Sequence, residues 1–219
     1  MRTGVLFSGG KDSCLALHKA IECGKKIDCL LSLMPENIDS FMFHKPDLKL
    51  LKKQAEMLDL PLVIQKTKGR QDEELGDLRK LVEKSKVDVL VVGGIASNYQ
   101  GSRIKKLCGR LGVDVYAPLL DYTTEKLWKE LLDSRFKVII TKISCEGIQK
   151  EFIGKVIDAT EFEKLKKLSE KYKFRLDFEG GEAETAVLFM PDFSKDIKIR
   201  FAVKSEDKYR HFIEIKEVC

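Results

Sequence analysis

The sequence predicts an α/β protein, with a doubly wound parallel sheet in its first half and a smaller C-terminal α+β part. Three observations carry that expectation. Short aliphatic, β-branched runs alternate with helix-patterned segments through the first half of the chain, the order that results when crossover helices join parallel strands. One run, Val87 to Val92, is nearly all aliphatic, as a strand covered on both faces is. Beyond Pro118 the pattern changes, and three strand-like runs follow one another toward the end. A chain of 219 residues suffices for one large domain or a main domain with an appendage. The shift in pattern divides it into residues 1–121 and 122–219.

Strand one is expected over residues 3–8, with a helix over 13–23 that Gly24 stops. Strand two covers 27–34 and runs into a loop through Pro35. The next helix, 49–58, sets Leu50, Leu51, Ala55 and Leu58 on one face. Strand three is 62–66, just after Pro61, and the helix over 71–85 buries Leu75, Leu78, Leu81 and Val82. Strand four is 87–92. A helix over 100–111 and a short strand near 113–117 complete the first part. A nucleotide would then sit at the carboxyl ends of strands one and four, where the winding reverses. In the second part, Thr123 or Thr124 caps a helix over 124–134, with Glu125 favourably in its first turn. A strand over 138–143, an amphipathic helix over 161–173 and strands over 186–190, 197–203 and 209–215 follow.

Composition excludes several classes. A net charge of +5, from 40 basic and 35 acidic residues, permits RNA contact without demanding it; no nucleic-acid partner is expected. No apolar run is long enough to span a bilayer, and the N-terminus enters the first strand at once, leaving no room for a signal peptide. A cytoplasmic protein without a membrane partner is the expectation. The six cysteines, Cys14, Cys23, Cys29, Cys108, Cys145 and Cys219, form no Cys-x-x-Cys pair. They read as reduced thiols rather than metal ligands.

Chemistry concentrates in four segments. Ser8-Gly9-Gly10-Lys11-Asp12-Ser13 joins the first strand to the first helix. Its glycines admit left-handed backbone and a close ligand. The helix start offers N–H groups and a positive dipole end to phosphate, Lys11 adds charge, and Ser13 caps the helix or donates a hydroxyl. The spacing fits neither Walker A nor Gly-x-Gly-x-x-Gly. The second segment, Met34-Pro35-Glu36-Asn37-Ile38-Asp39-Ser40-Phe41-Met42-Phe43-His44, is a long loop that is costly to order unless it binds something. The third, residues 93–103, again follows an aliphatic strand with two glycines, Gly93 and Gly94, and ends in Arg103, suited to a carboxylate or phosphate. The fourth, Glu179-Gly180-Gly181-Glu182-Ala183-Glu184-Thr185, groups three carboxylates beside a glycine pair. If extended, it points Glu182 and Glu184 the same way, and such carboxylates call for a cation, a proton or an amine.

The six-residue phosphate string resembles the PP-loop of the ATP pyrophosphatase superfamily, which cleaves ATP between the α and β phosphates. Together, Ser8–Ser13, Pro35-Glu36-Asn37 with Ser40 and Met42-Phe43-His44, Gly93 with Ile95-Ala96-Ser97, Tyr99-Gln100 and Arg103, and Glu179-Gly180-Gly181-Glu182 with Glu184-Thr185 resemble archaeal diphthine–ammonia ligases. The resemblance spans essentially the whole chain, and the last motif separates this family from other PP-loop enzymes. Ala183 stands where an aromatic residue is more usual, which removes no candidate ligand.

The resemblance implies an adenine nucleotide alpha hydrolase-like fold, with a PP-loop ATP-binding domain over 1–121 and a substrate-binding domain over 122–219. It implies ATP and Mg²⁺ as cofactors, and translation elongation factor 2 and ammonium as partners; a homo-oligomer is compatible with it. The reaction implied is adenylation of the diphthine carboxylate, followed by attack of ammonia to give diphthamide and AMP. Lys11, Asp12, Glu182 and Glu184 would then be catalytic. Ser8, Gly9, Gly10, Lys11, Asp12, Ser13, Leu33, Met34, Gly93, Gly94 and Ser97 would bind the nucleotide. Glu36, Asn37, Ser40, His44, Tyr99, Gln100, Arg103, Glu179, Gly180, Gly181 and Thr185 would bind substrate, with Asp12 and Glu182 as metal ligands. Two alternatives stay open: a PP-loop enzyme that modifies tRNA by adenylation, and a module that senses ATP without turnover.

Overall fold

The computed structural model describes residues 1–35, 46–68, 71–94 and 98–219, with the side chains of residues 71, 72 and 98–100 outside that description. The chain divides into two compact units, Met1–Asp121 and Tyr122–Cys219.

The first unit alternates strand and helix throughout: β1 (Thr3–Leu6), α1 (Lys11–Glu22), β2 (Cys29–Pro35), α2 (Leu48–Met57), β3 (Leu62–Thr67), α3 (Gln71–Ser85), β4 (Val89–Val91), α4 (Asn98–Arg110) and β5 (Asp114–Tyr116). Its strands pair in the order β3-β2-β1-β4-β5, all parallel. The chain steps outward from β1 through β2 to β3, then returns to the other side of β1. Right-handed crossovers therefore put α1 and α2 on one face and α3 and α4 on the other. The latter face packs Leu78, Leu81 and Val82 of α3 and Ile104 and Cys108 of α4 against Cys29, Leu31, Leu33, Leu90 and Val92. Every residue of β2 is buried, as is expected of a strand covered on both faces.

The second unit carries α5 (Thr124–Asp133), β6 (Lys137–Ser144), a 3₁₀ turn (Lys150–Phe152), α6 (Ala159–Tyr172), β7 (Ala183–Phe189), β8 (Ile199–Ser205) and β9 (Arg210–Val218). Its sheet, β7-β6-β9-β8, is antiparallel throughout. Thr123 caps α5 by accepting from the Lys126 N–H at 3.2 Å, and Asp158 caps α6 through the Glu161 N–H at 2.9 Å. Trp128, fully buried on α5, anchors the core of this unit: its ring stacks on Phe162 at 5.1 Å and meets Phe178 edge-on at 6.1 Å.

Boundaries differ from expectation where side chains mislead. Helix α1 begins at Lys11, not residue 13, because Gly10 is its N-cap and no side chain caps it. Strand β7 begins at Ala183 rather than residue 186, because Ala183 and Glu184 pair with Ile143 and Lys142 of β6. No helix among the described residues is long and apolar enough to cross a membrane.

The six cysteines form no disulfide with one another; Cys14, Cys29 and Cys108 are buried, Cys145 is half-buried, and Cys23 and Cys219 are exposed. Burial pushes the Cys108 thiol up to about 11, and it raises Cys29 too, against the opposing pull of Arg2. At pH 8 the native protein is therefore expected to give two fast thiols in an aromatic-disulfide titration, Cys23 and Cys219. The three buried ones should react only after unfolding. Rapid modification of Cys108 in the folded protein would contradict this packing.

Candidate active site

Strand β1 ends at Leu6 and α1 starts at Lys11, so the phosphate loop is a short connection at the carboxyl edge of the sheet. Beside it lies β4, and between β1 and β4 the winding reverses, the position where open α/β sheets receive ligands. Gly9 adopts φ +74°, a left-handed conformation that costs glycine little. Gly93, just past β4, touches the loop's far end. A Cβ at that position would lie 2.5 Å from both the carbonyl carbon and oxygen of Asp12 and 2.7 Å from the Ser13 nitrogen. Only glycine fits there without moving backbone.

Ser13 does not cap α1. Its hydroxyl donates to the Gly10 carbonyl at 3.1 Å and accepts from the Ser8 N–H at 3.3 Å, closing the loop on itself. The Ser8 hydroxyl sits 3.2 Å from that of Ser13. Lys11, only 2% exposed, is buried in the first turn of α1 and donates to Asp12 Oδ2 at 2.7 Å. A buried cation at the positive end of a helix is locally unfavourable. Asp12, a quarter exposed, pairs with it. The glycine loop, the uncapped helix start and the buried Lys11 fit an anion such as a nucleotide phosphate.

Sequence reasoning missed one residue here. Gln54 of α2 is 1% exposed, and its side-chain amide donates to the Gly9 carbonyl at 2.9 Å. The signal was present, since residue 54 falls within the apolar stripe of Leu50, Leu51 and Ala55, where a polar side chain must find a buried partner.

Leu33 and Met34 lie near the carboxyl end of β2 and are 4% and 9% exposed. The Leu33 side chain packs in the core against α3 and α4, so its main chain is what it can offer a ligand. Gly94 is exposed beside Gly93, and Arg103 is half-buried on α4. Glu36, Asn37, Ser40, His44 and Ser97 lie outside the described residues, as do the side chains of Tyr99 and Gln100 on α4.

In the second unit, the acidic segment forms the turn before β7. The chain leaves α6 with Lys173 at φ +62°, bends at Phe178 with φ +60°, and again at Gly181 with φ +86°. A left-handed phenylalanine costs of order 1–3 kcal/mol and persists where surroundings over-determine it. Phe178 is 4% exposed against Trp128, whose indole N–H donates to the Leu176 carbonyl at 2.8 Å. Asp177 accepts both arms of the Arg175 guanidinium, at 3.0 and 2.7 Å, and the Glu179 N–H at 3.0 Å.

Glu182 folds back over Gly180. It accepts from the Gly180 N–H at 2.9 Å and the Arg175 N–H at 3.2 Å, and a Cβ at Gly180 would meet its Oε1 at 2.5 Å. Glu184 pairs across the sheet with Lys142 at 3.3 Å. Glu179 and Thr185 are half-buried, and Gly180 and Gly181 exposed. Thus Glu182 orders the turn and Glu184 answers a lysine, and protein groups already balance part of the negative charge.

Mg²⁺ takes one or two carboxylates beside phosphate oxygens and keeps several waters. Asp12, partly exposed at the phosphate loop, suits that role. Glu182, with each oxygen already accepting a backbone N–H, is accounted for without a metal. Among the described residues no group of three or more His, Cys, Asp or Glu side chains could hold a metal ion.

The chain matches two family models over most of its length: the diphthamide synthase N-terminal domain over residues 1–115 and the diphthamide synthase C-terminal domain over residues 123–219. It is 34% identical to the diphthine–ammonia ligase of Homo sapiens over 220 residues, covering 90% of this chain and 82% of that protein. The enzyme of Bos taurus gives the same figures. The diphthine–ammonia ligase of Schizosaccharomyces pombe is 32% identical over 88% of this chain, which spans 35% of that longer protein. Among solved structures, a predicted subunit of tRNA methyltransferase from Methanocaldococcus jannaschii overlays 87% of this chain and 98% of its own at 18% identity and a TM-score of 0.45. The chain belongs to the diphthamide synthase family and, by its curated relatives, is an ATP-dependent carbon–nitrogen ligase.

Proposed function

We propose that the chain catalyses AMP-forming amidation of the diphthine carboxylate on translation elongation factor 2, through an acyl-adenylate, with ammonia as the amine. The observation that carries this reading is the glycine loop between β1 and β4, where Gly9 at φ +74° turns the chain into the uncapped start of α1 and Gly93 packs directly on the Asp12–Ser13 backbone.

A carboxylate is a poor electrophile, so the substrate oxygen first attacks the α-phosphorus and the bond to the β-phosphate oxygen breaks. The backbone of Ser8, Gly9 and Gly10 and the start of α1 receive the charge that gathers on the leaving pyrophosphate, and Lys11 and Ser13 hold the loop in that shape. Asp12 is the carboxylate that would hold Mg²⁺ with the phosphate oxygens, where the ion supplies charge neutralisation. Gly93, Gly94 and Ser97 approach the α-phosphate or adenine, together with the main chain of Leu33 and Met34. Glu36, Asn37, Ser40, His44, Tyr99, Gln100 and Arg103 take the modified histidine of the protein substrate, with Glu179, Gly180, Gly181 and Thr185 shaping the amine side. Glu182 and Glu184 draw ammonium and accept its proton. The freed ammonia attacks the acyl carbon, AMP departs, and the amide nitrogen loses a second proton to solvent.

One observation disfavours thiol-based tRNA chemistry. Burial raises the pKa of Cys145, and the nearby Glu182 charge adds to this, although the Ile148 backbone pulls it down. At neutral pH it stays a thiol, a weak nucleophile.

With ATP, Mg²⁺, ammonium and diphthine-bearing elongation factor 2, the enzyme should form AMP, and the factor's mass should change as expected for an acid becoming an amide. AMP formation with tRNA instead would overturn the proposal, and ATP bound but never cleaved would mark a sensor. Asp12→Ala should abolish AMP release while circular dichroism stays unchanged; undiminished turnover would put the active site elsewhere. Glu182→Gln and Glu184→Gln should each raise the ammonium KM about tenfold, a difference of roughly 1.4 kcal/mol, and leave the ATP KM within about twofold. Equal loss for ATP and ammonium would assign these glutamates to folding alone.

A further inference from the structure

We infer that Gln54 is a positioning residue: it latches the Gly9–Gly10 peptide in the one orientation that accepts phosphate. This rests on the phosphate-binding reading of the loop given above.

Two adjacent glycines make a peptide plane that turns over at little steric cost, since neither side resists with a Cβ. Turned one way, the plane offers a ligand the Gly10 N–H; turned the other, it offers the Gly9 carbonyl oxygen, which repels an anion. A trans peptide directs its C=O and N–H to opposite sides, so fixing one fixes the other. In this protein the Gly9 carbonyl accepts a buried hydrogen bond from the Gln54 amide at 2.9 Å, across 45 residues of sequence. The amide also packs directly against Gly9, because a Cβ there would sit 2.0 Å from Gln54 Oε1 and 2.9 Å from Cδ. On the opposite side, the Gly10 N–H has a long 3.4 Å contact with the exposed Ser8 hydroxyl, an arrangement a phosphate oxygen displaces readily. Turning the plane over would bury a carbonyl-seeking amide without its acceptor, which costs more than the exchange of an exposed bond.

Helix α2 is well placed to hold such a latch. Asp47 caps it through the N–H groups of Lys49 and Leu50 at 2.9 and 3.0 Å, and Leu50, Leu51, Ala55 and Met57 around Gln54 are buried. The donor therefore comes from a rigid element rather than from the loop itself.

The test uses the full chain and two probes, ATP and inorganic pyrophosphate, with affinities from calorimetry and melting temperatures at each pH. Gln54→Met keeps the side-chain length without the donor. It should weaken both probes about tenfold, the loss of one hydrogen bond's worth of orientation, with the ATP KM carrying the change. Gln54→Glu provides the second arm. Protonated, the acid donates to the Gly9 carbonyl as glutamine does; ionised, it repels that oxygen. Its affinity for both probes should rise toward that of the unaltered protein as pH falls, across a range where its melting temperature stays constant. The unaltered protein corrected for phosphate protonation should show no such trend. Unchanged affinity in Gln54→Met, or in Gln54→Glu at every pH, would overturn the latch while leaving phosphate binding intact. Weak affinity that tracks only the melting temperature would overturn it too. If the unaltered protein binds neither probe, the phosphate-binding reading falls, and the latch with it.

Discussion

At the reversal between β1 and β4, two stretches of main chain approach more closely than any side chain permits. Gly93 rests on the Asp12–Ser13 backbone at a distance where a single methyl group would collide with carbonyl carbon, carbonyl oxygen and amide nitrogen together. The first turn of α1 is consequently fixed against the end of β4, and the loop before it has to turn sharply enough to need Gly9 at positive φ. Lys11 is driven under the turn, where Asp12 answers it. The loop is thus held from the end of β4 through Gly93 and from α2 through Gln54.

Much of the first unit is legible in the sequence because its signals are local. A fully buried parallel strand is written as an unbroken aliphatic run, and the order of such runs with helices implies the winding. The residues of the phosphate loop were legible for the same reason, since strand, glycine pair and helix are contiguous. What escaped was set by distance. The partner of the Gly9 carbonyl lies on another helix: the apolar stripe of α2 marks glutamine at position 54 as a buried polar residue, but nothing local names the acceptor it finds 45 residues away. The early start of β7 is likewise invisible locally, because it follows from pairing with β6 some 40 residues upstream.

Two of the three glycine pairs, Gly9–Gly10 and Gly180–Gly181, look alike in sequence and work in opposite senses. At Gly9–Gly10 a neighbouring helix takes the carbonyl and leaves donors on the ligand's side. At Gly180–Gly181 the adjacent Glu182 turns back and takes the Gly180 N–H, while the Gly181 N–H goes to the Phe178 carbonyl. A glycine pair beside charge therefore specifies close approach of backbone, while the surrounding partners decide whether an external anion or an internal carboxylate benefits. The acidic turn is further braced by Trp128 and by the Arg175–Asp177 fork, which hold Phe178 in a conformation its own Cβ opposes.

Trp128 is the chain's one tryptophan, and it is buried in the second unit against the base of that turn. Its emission is consequently a private optical channel. The colour and intensity of the indole register the hydration and ring contacts of one unit, whereas the five-stranded sheet of the other contributes no indole at all. Melting followed by light and melting followed by backbone dichroism thus sample different populations of structure. Any divergence between the two curves would measure how independently the two units come apart.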